Sequence, residues 1–187
     1  MPGTKTWPEN VGRFKELVLY ISQKCANDPK FDTVKLNKLL FFSDFLAYAV
    51  FGEPITGFAY QKLERGPGPE RMPQIRREMV TSQDLGIQEL PLTPNRRTVN
   101  LRRPNLTVFS ADQISLVDNL IETLKGHDSK TASDITHTMP CWKIPDLYDT
   151  IPYETVFLSH EALTDVDAER GRAVARELGL TVAQQTS

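Results

Sequence analysis

Asp44 falls seven residues after Asn37 and four before Tyr48, so a helix would carry all three on one face. A carboxylate in that position can act as a buried general base or anchor a bound chain. The plainer expectation is a structural hydrogen bond to a neighbouring loop, because a buried carboxylate must find partners. His137 and Cys141 are four residues apart, and His127 lies ten residues before His137. Such a trio suits zinc or a thiol–imidazole pair. However, Met139 and Pro140 interrupt the helix between them, and no Cys-x-x-Cys or second ligand pair completes a closed site. A capping or packing histidine beside a buried Trp142 is therefore expected, with no metal and no cofactor.

Gly66-Pro67-Gly68-Pro69 has the glycines of a phosphate loop but not its donors, since proline removes the backbone N–H. It reads as a rigid turn that presents its backbone or packs against a neighbour. The pairs Arg76-Arg77, Arg96-Arg97 and Arg102-Arg103 would meet phosphates if they converged. Solvated faces or protein contacts are the simpler expectation. There is no Ser–His–Asp order, Walker loop or dinucleotide glycine fingerprint. The chemistry-bearing residues describe an interaction module rather than an enzyme.

The elements that must position these residues come from a chain of 187 residues, 40% hydrophobic and 25% charged, which suits one globular domain. The formal charge of −2 argues against a dedicated nucleic-acid binder. Two cysteines far apart make no disulfide framework, so both thiols are expected reduced and the protein cytoplasmic. Met1 to Asn10 holds no apolar run, which speaks against a signal peptide. The most apolar stretch, Leu39 to Phe51, would reach about 20 Å as a helix, short of the roughly 30 Å of a bilayer core. It is a buried helix, and no membrane is expected.

Asn10 can cap a first helix whose stripe is Val11, Phe14, Leu17, Val18, Ile21 and Cys25. Asp32 or Thr33 caps a second, which Gly52 closes. That second helix is apolar nearly all round, from Leu36, Leu39, Leu40 and Phe41 to Phe51, and belongs at the centre of the fold. Ile55 to Leu63 is rich in β-branched and aromatic residues, whereas Arg65 to Pro69 should hold no regular structure. A helix follows to about Ser82 with Met72, Ile75, Met79 and Val80 inward. A hairpin pairs Ile87–Leu90 with Thr98–Leu101. Ser110 and Gln113 have capping-box spacing ahead of Ile114, Val117, Leu120, Ile121 and Leu124. Shorter helices are expected over Lys130 to His137 and Asp165 to Leu178. The fold class is mainly α (α+β): helices around one buried helix, with a small antiparallel sheet. Residues 1–30 form a helix packing on the core, 31–142 the principal domain, and 143–187 an extension ending in a helix, all in one compact unit.

Four segments in register carry a resemblance. They are Lys35-Leu36-Asn37-Lys38-Leu39-Leu40 through Asp44; Gly52 to Gly57 with Pro54, then Tyr60 and Gly66 to Pro69; Leu106 to Ser110; and Ser133 to His137 with Trp142. Together they resemble the Panacea antitoxin domain, the family of SocA-like antitoxins and phage-associated proteins, over about residues 31–142. Arg65-Gly66-Pro67-Gly68 stands where the family usually has His-Gly-Pro and a bulky residue, and Thr138 where an acid often follows. The resemblance implies an antitoxin of a toxin–antitoxin system that neutralises a cognate protein toxin by direct binding. It also leaves open an adaptor role toward an ATP-dependent protease. A nucleic-acid-binding regulator is the other alternative, and a homo-oligomer is left open. The resemblance implies no enzymatic activity. Lys35, Leu36, Lys38, Leu39, Leu40, Asp44, Pro54, Gly57, Thr136, His137 and Trp142 are the motif residues, and we expect structural roles for them.

The expected partner surface comprises Arg65, Gly66, Pro67 and Gly68, the arginines Arg96, Arg97, Arg102 and Arg103, and exposed residues of the first helix. A proline-stiffened loop loses little entropy on binding, and arginine forks bind carboxylates bidentately. The extension, with Tyr153 and Phe157, is available for further contacts.

Overall fold

A computed structural model describes residues 7–90, 95–128, 130–131 and 140–158 of the chain. Thr136, His137 and the helix expected near Asp165 lie outside these residues.

Helix α1 (Val11–Lys24) starts at Asn10, whose side-chain oxygen accepts from the Arg13 N–H at 3.0 Å. Helix α2 (Thr33–Phe51) starts at Asp32, whose carboxylate accepts from Lys35 N at 2.7 Å. It ends at Gly52 in the left-handed conformation with φ +79. As its all-round apolar pattern requires, α2 is buried from Lys35 to Phe45 except at the half-buried Asn37. Its last turn emerges, leaving Val50 and Phe51 exposed. Around it pack α1, a β-hairpin, helix α4 (Ala111–Leu124) and the 3-10 turn Tyr153–Phe157. The capping box at Ser110 and Gln113 forms with both of its bonds.

The hairpin pairs β1 (Tyr60–Leu63) with β2 (Gly66–Pro69), where sequence reasoning expected no regular structure. The register explains how prolines enter a strand. Pro67 and Pro69 stand opposite Lys62 and Tyr60. The N–H and carbonyl of Lys62 and the carbonyl of Tyr60 point to the other edge, where they bond to Asp149, Tyr148 and Ile151. The prolines therefore occupy non-hydrogen-bonded positions, where a missing N–H leaves nothing unpaired. The segment from Tyr148 to Ile151 lies antiparallel along β1, through a bridge between Gln61 and Thr150, and buries Ile151 and Tyr153.

Helix α3 (Met72–Thr81) turns Met72, Ile75 and Met79 inward and leaves Val80 exposed, because Val80 sits one helical step beyond that stripe. The second hairpin, β3 (Leu85–Glu89) with β4 (Arg96–Asn100), is separate from the first. The single expected sheet is thus two ribbons. Thr98 Oγ1 meets Ser22 Oγ at 2.6 Å and Asn100 Nδ2 donates to the Leu19 carbonyl, which fixes the second ribbon to α1. Among the described residues, no helix is long and apolar enough to cross a membrane.

Candidate functional site

Three charged residues of α2 point into the protein. Asp44 is fully buried. Its Oδ1 accepts from Thr56 N at 2.6 Å, and its Oδ2 accepts from the Thr56 hydroxyl and, at 2.7 Å, from the Tyr60 hydroxyl. Burial pushes the Asp44 carboxyl up to about 6, against these hydrogen bonds, which favour the ionised form. The carboxylate ties α2 to the loop Pro54–Gly57 through Thr56. Asn37 and Tyr48 share its helix but not its contacts. Tyr48 packs with Trp7, Tyr153 and Phe157.

Lys35 is buried, with Nζ 2.6 Å from Asp28 Oδ2 and donating to the His127 carbonyl at 2.9 Å. Burial raises the Asp28 carboxyl, but the hydrogen bonds and charge of Lys35 outweigh it and hold the group below its usual value. Lys38 is fully buried and donates to the Arg65 carbonyl at 2.7 Å. Burial lowers its ammonium to about 8, opposed by Asp32. This lysine pins the β1–β2 turn from beneath. Leu36, Leu39 and Leu40 are buried in the core, as is Pro54 in its loop. Gly57 has φ +72, and a Cβ there would stand 2.7 Å from the Pro8 carbonyl oxygen, so the close approach of the N-terminal segment requires glycine. Trp142 is half-buried under the Lys62 ammonium, 5.0 Å from the ring centroid.

Of the loop expected to meet a partner, Gly66, Pro67 and Gly68 are buried as strand β2, and the exposed turn residues are Glu64 and Arg65. Beside the turn opens a cleft of about 320 Å³ whose lining includes Val34, Asn37, Leu63, Arg65, Pro67 and Tyr148. Asn37 Oδ1 is buried there without a hydrogen-bond partner. Tyr148 holds a left-handed backbone with φ +72 while its side chain is exposed. Such strain in a non-glycine residue gathers at binding and catalytic positions. Sequence reasoning did not single out Tyr148, because no residue type announces a tyrosine held in that conformation.

The arginines of the second ribbon divide. Arg102 forks onto Glu16, at 2.8 and 3.0 Å, and also reaches Asp84. The hydrogen bonds it donates to the two carboxylates raise its already high pKa. Arg97 caps the carbonyls of Ala26 and Asp28. Both are structural ties between β4, or the turn after it, and α1 or the loop that follows α1. Arg96 and Arg103 are exposed, Arg96 with a long contact of 3.4 Å to Glu89. Asn95 Nδ2 donates to Asp32 Oδ2 at 2.8 Å. The start of β4 and the Arg65 turn therefore both attach to the N-terminal end of α2, at its cap Asp32 and at Lys38. Arg76 is half-buried on α3, and burial together with Arg96 lowers its pKa.

Cys25 is a free thiol whose pKa burial pushes up to about 11. Among the described residues no group of three or more His, Cys, Asp or Glu side chains is arranged to hold a metal ion. His137 and the side chain of Cys141 lie outside them.

The sequence model of one protein family, described as antitoxin SocA-like, Panacea domain, matches residues 36–143, more than half of the chain. Comparisons with curated proteins and with solved structures gave no match.

Proposed function

Because the chain belongs to the SocA-like Panacea antitoxin domain family, we propose that it is an antitoxin that neutralises a cognate protein toxin by direct binding. The family match over residues 36–143 carries this reading. The internal bonding of Lys35, Lys38 and Asp44 supports it, since these three charged residues of α2 hold loops in place and leave recognition to other positions. We place the toxin contact on the cleft beside Arg65, with Asn37 and Tyr148, and on the exposed Arg96. The unpaired Asn37 oxygen offers an acceptor, the arginines suit acidic groups, and the stiff turn costs little entropy to order.

The test begins with the reading frames beside this gene, one of which is expected to be toxic when expressed alone. Co-expression should restore growth without changing the toxin level, and the two proteins should co-elute. Arg65→Glu and Tyr148→Ala should each weaken the complex at least tenfold with little change in Tm. If the toxin level instead falls, and only when an ATP-dependent protease is present, the protein is an adaptor for degradation. Failure to rescue growth from any adjacent toxic frame refutes both readings.

A further inference from the structure

The N-terminal segment Trp7–Glu9 is held on the loop before β1, through Asn10 N donating to the Thr56 carbonyl at 2.9 Å and through the close approach at Gly57. Between this segment and Thr150–Glu154 lies a cavity of about 450 Å³, separate from the Arg65 cleft. Its walls include Trp7, Glu9, Phe58, Ile151, Tyr153 and Glu154. Three of these are aromatic, and no lysine or arginine is among the lining residues.

The two carboxylates differ in how they are satisfied. Glu9 Oε2 holds Arg71 at 2.7 Å, and Glu9 Oε1 accepts from Ala59 N at 3.4 Å. Glu154 Oε2 is buried with no hydrogen-bond partner. A carboxylate oxygen held from water without a donor is costly, and a cationic donor is the group that relieves it. Arg71 displays the kind of group that completes such a site: its guanidinium sits on Glu9 while lying 6.0 Å from the centroid of the Phe58 ring.

We propose that this cavity receives a lysine or arginine side chain of the bound partner protein. Its cation meets Glu154, and its methylenes lie against Trp7 and Tyr153. The choice of occupant rests on the antitoxin reading above and extends the partner contact beyond the Arg65 cleft. The complementarity is one of charge and of shape: a long apolar stem ending in a cation matches an aromatic cavity with a carboxylate.

The probe is butylguanidinium, with butylurea as its neutral counterpart, titrated into the full chain carrying Trp142→Phe so that Trp7 is the remaining indole. Butylguanidinium should change the Trp7 emission saturably, butylurea should not, and Glu154→Gln should weaken the cation at least tenfold with Tm not lowered. In parallel, Glu154→Lys should weaken the complex with the neutralised toxin at least tenfold. Equal response to both probes, or indifference to Glu154→Gln, overturns the site. A cation site with a toxin complex unaffected by Glu154→Lys overturns the assignment to the partner and leaves a site for a free organic cation. Intact cation binding with no toxin neutralised overturns the antitoxin reading and the occupant drawn from it, but not the site.

Discussion

Tyr60→Phe removes one oxygen and leaves the ring that fills the core. Tyr60 is fully buried, its ring lies against Phe41 and Phe45, and its hydroxyl sits 2.7 Å from Asp44 Oδ2 and 2.9 Å from the Leu40 carbonyl. No cavity larger than a hydroxyl is created, so the effect is that of the lost donor. A hydrogen bond to a charged group contributes about 1.5–3 kcal/mol, against about 1 kcal/mol for a neutral one. The cost should therefore follow the charge on Asp44. The folded Asp44 carboxyl lies near 6, above its ordinary 3.8. A carboxyl raised in the folded state contributes stability that is fully present below 3.8 and is lost as pH rises through about 6, on the order of 3 kcal/mol in all. Losing the Tyr60 donor pushes the folded carboxyl higher still, and the variant loses more over the same rise.

Urea denaturation followed by far-UV circular dichroism, at about pH 4.5 and at about pH 7.5, measures the difference. Wild type should exceed Tyr60→Phe by about 1 kcal/mol at the lower pH and by about 2–3 kcal/mol at the higher. Glu16, Asp28 and Asp84, whose carboxyls are held low by their bonds to Arg102 or Lys35, add stability that is lost as pH falls. These contributions are common to both proteins and cancel in the difference. A penalty that is the same at both pH values would refute the view that Tyr60 serves the ionised form of Asp44.

Gly57→Ala forces a side chain into a left-handed backbone and against the Pro8 carbonyl, so it should lower stability by about 1–3 kcal/mol and shift the Trp7 emission as the N-terminal segment lifts. Lys35→Met leaves the Asp28 carboxylate without its cation, with only backbone donors, next to a buried methionine; chemical denaturation should show a loss of about 3–5 kcal/mol, much of it recovered in the double variant Lys35→Met with Asp28→Leu. Leu40→Asp places a charge at a fully buried position of α2 and should abolish cooperative melting, given a total stability of roughly 5–15 kcal/mol.

Much of this fold was legible because its strongest signals are local. Asn10, Asp32, Ser110 and Gly52 are capping residues acting where their types say they should, and a helix apolar on every side has nowhere to lie but the centre. What escaped the sequence depends on the neighbour. Pro67 and Pro69 look like a bar to β structure until the register shows that their partners, Lys62 and Tyr60, turn their backbone groups to the other edge. Arg97 and Arg102 look like surface charges until Asp28, Glu16 and Asp84 arrive from elsewhere in the chain. Asp44 could be placed inside from its helix, but its bond to Tyr60 spans sixteen residues and has no signal in either residue alone.

The same distinction bears on where partner specificity would lie under the proposed function. The residues that carry the family resemblance do their bonding inside: Lys38 to the Arg65 carbonyl, Asp44 to Thr56 and Tyr60, Gly57 beneath the N-terminal segment. Each fixes a backbone segment and not an exposed side chain. Lys38, for instance, holds the turn through a carbonyl oxygen, which any residue at position 65 would supply. The turn can therefore keep its place while its side chain changes. A frame held by backbone carbonyls and buried carboxylates tolerates substitution at Glu64, Arg65, Arg96, Tyr148 and Glu154 far better than at Lys38 or Asp44. Under the proposed antitoxin function, specificity for a toxin would belong to the former set, and changes there should alter which partner is bound before they alter whether the protein folds.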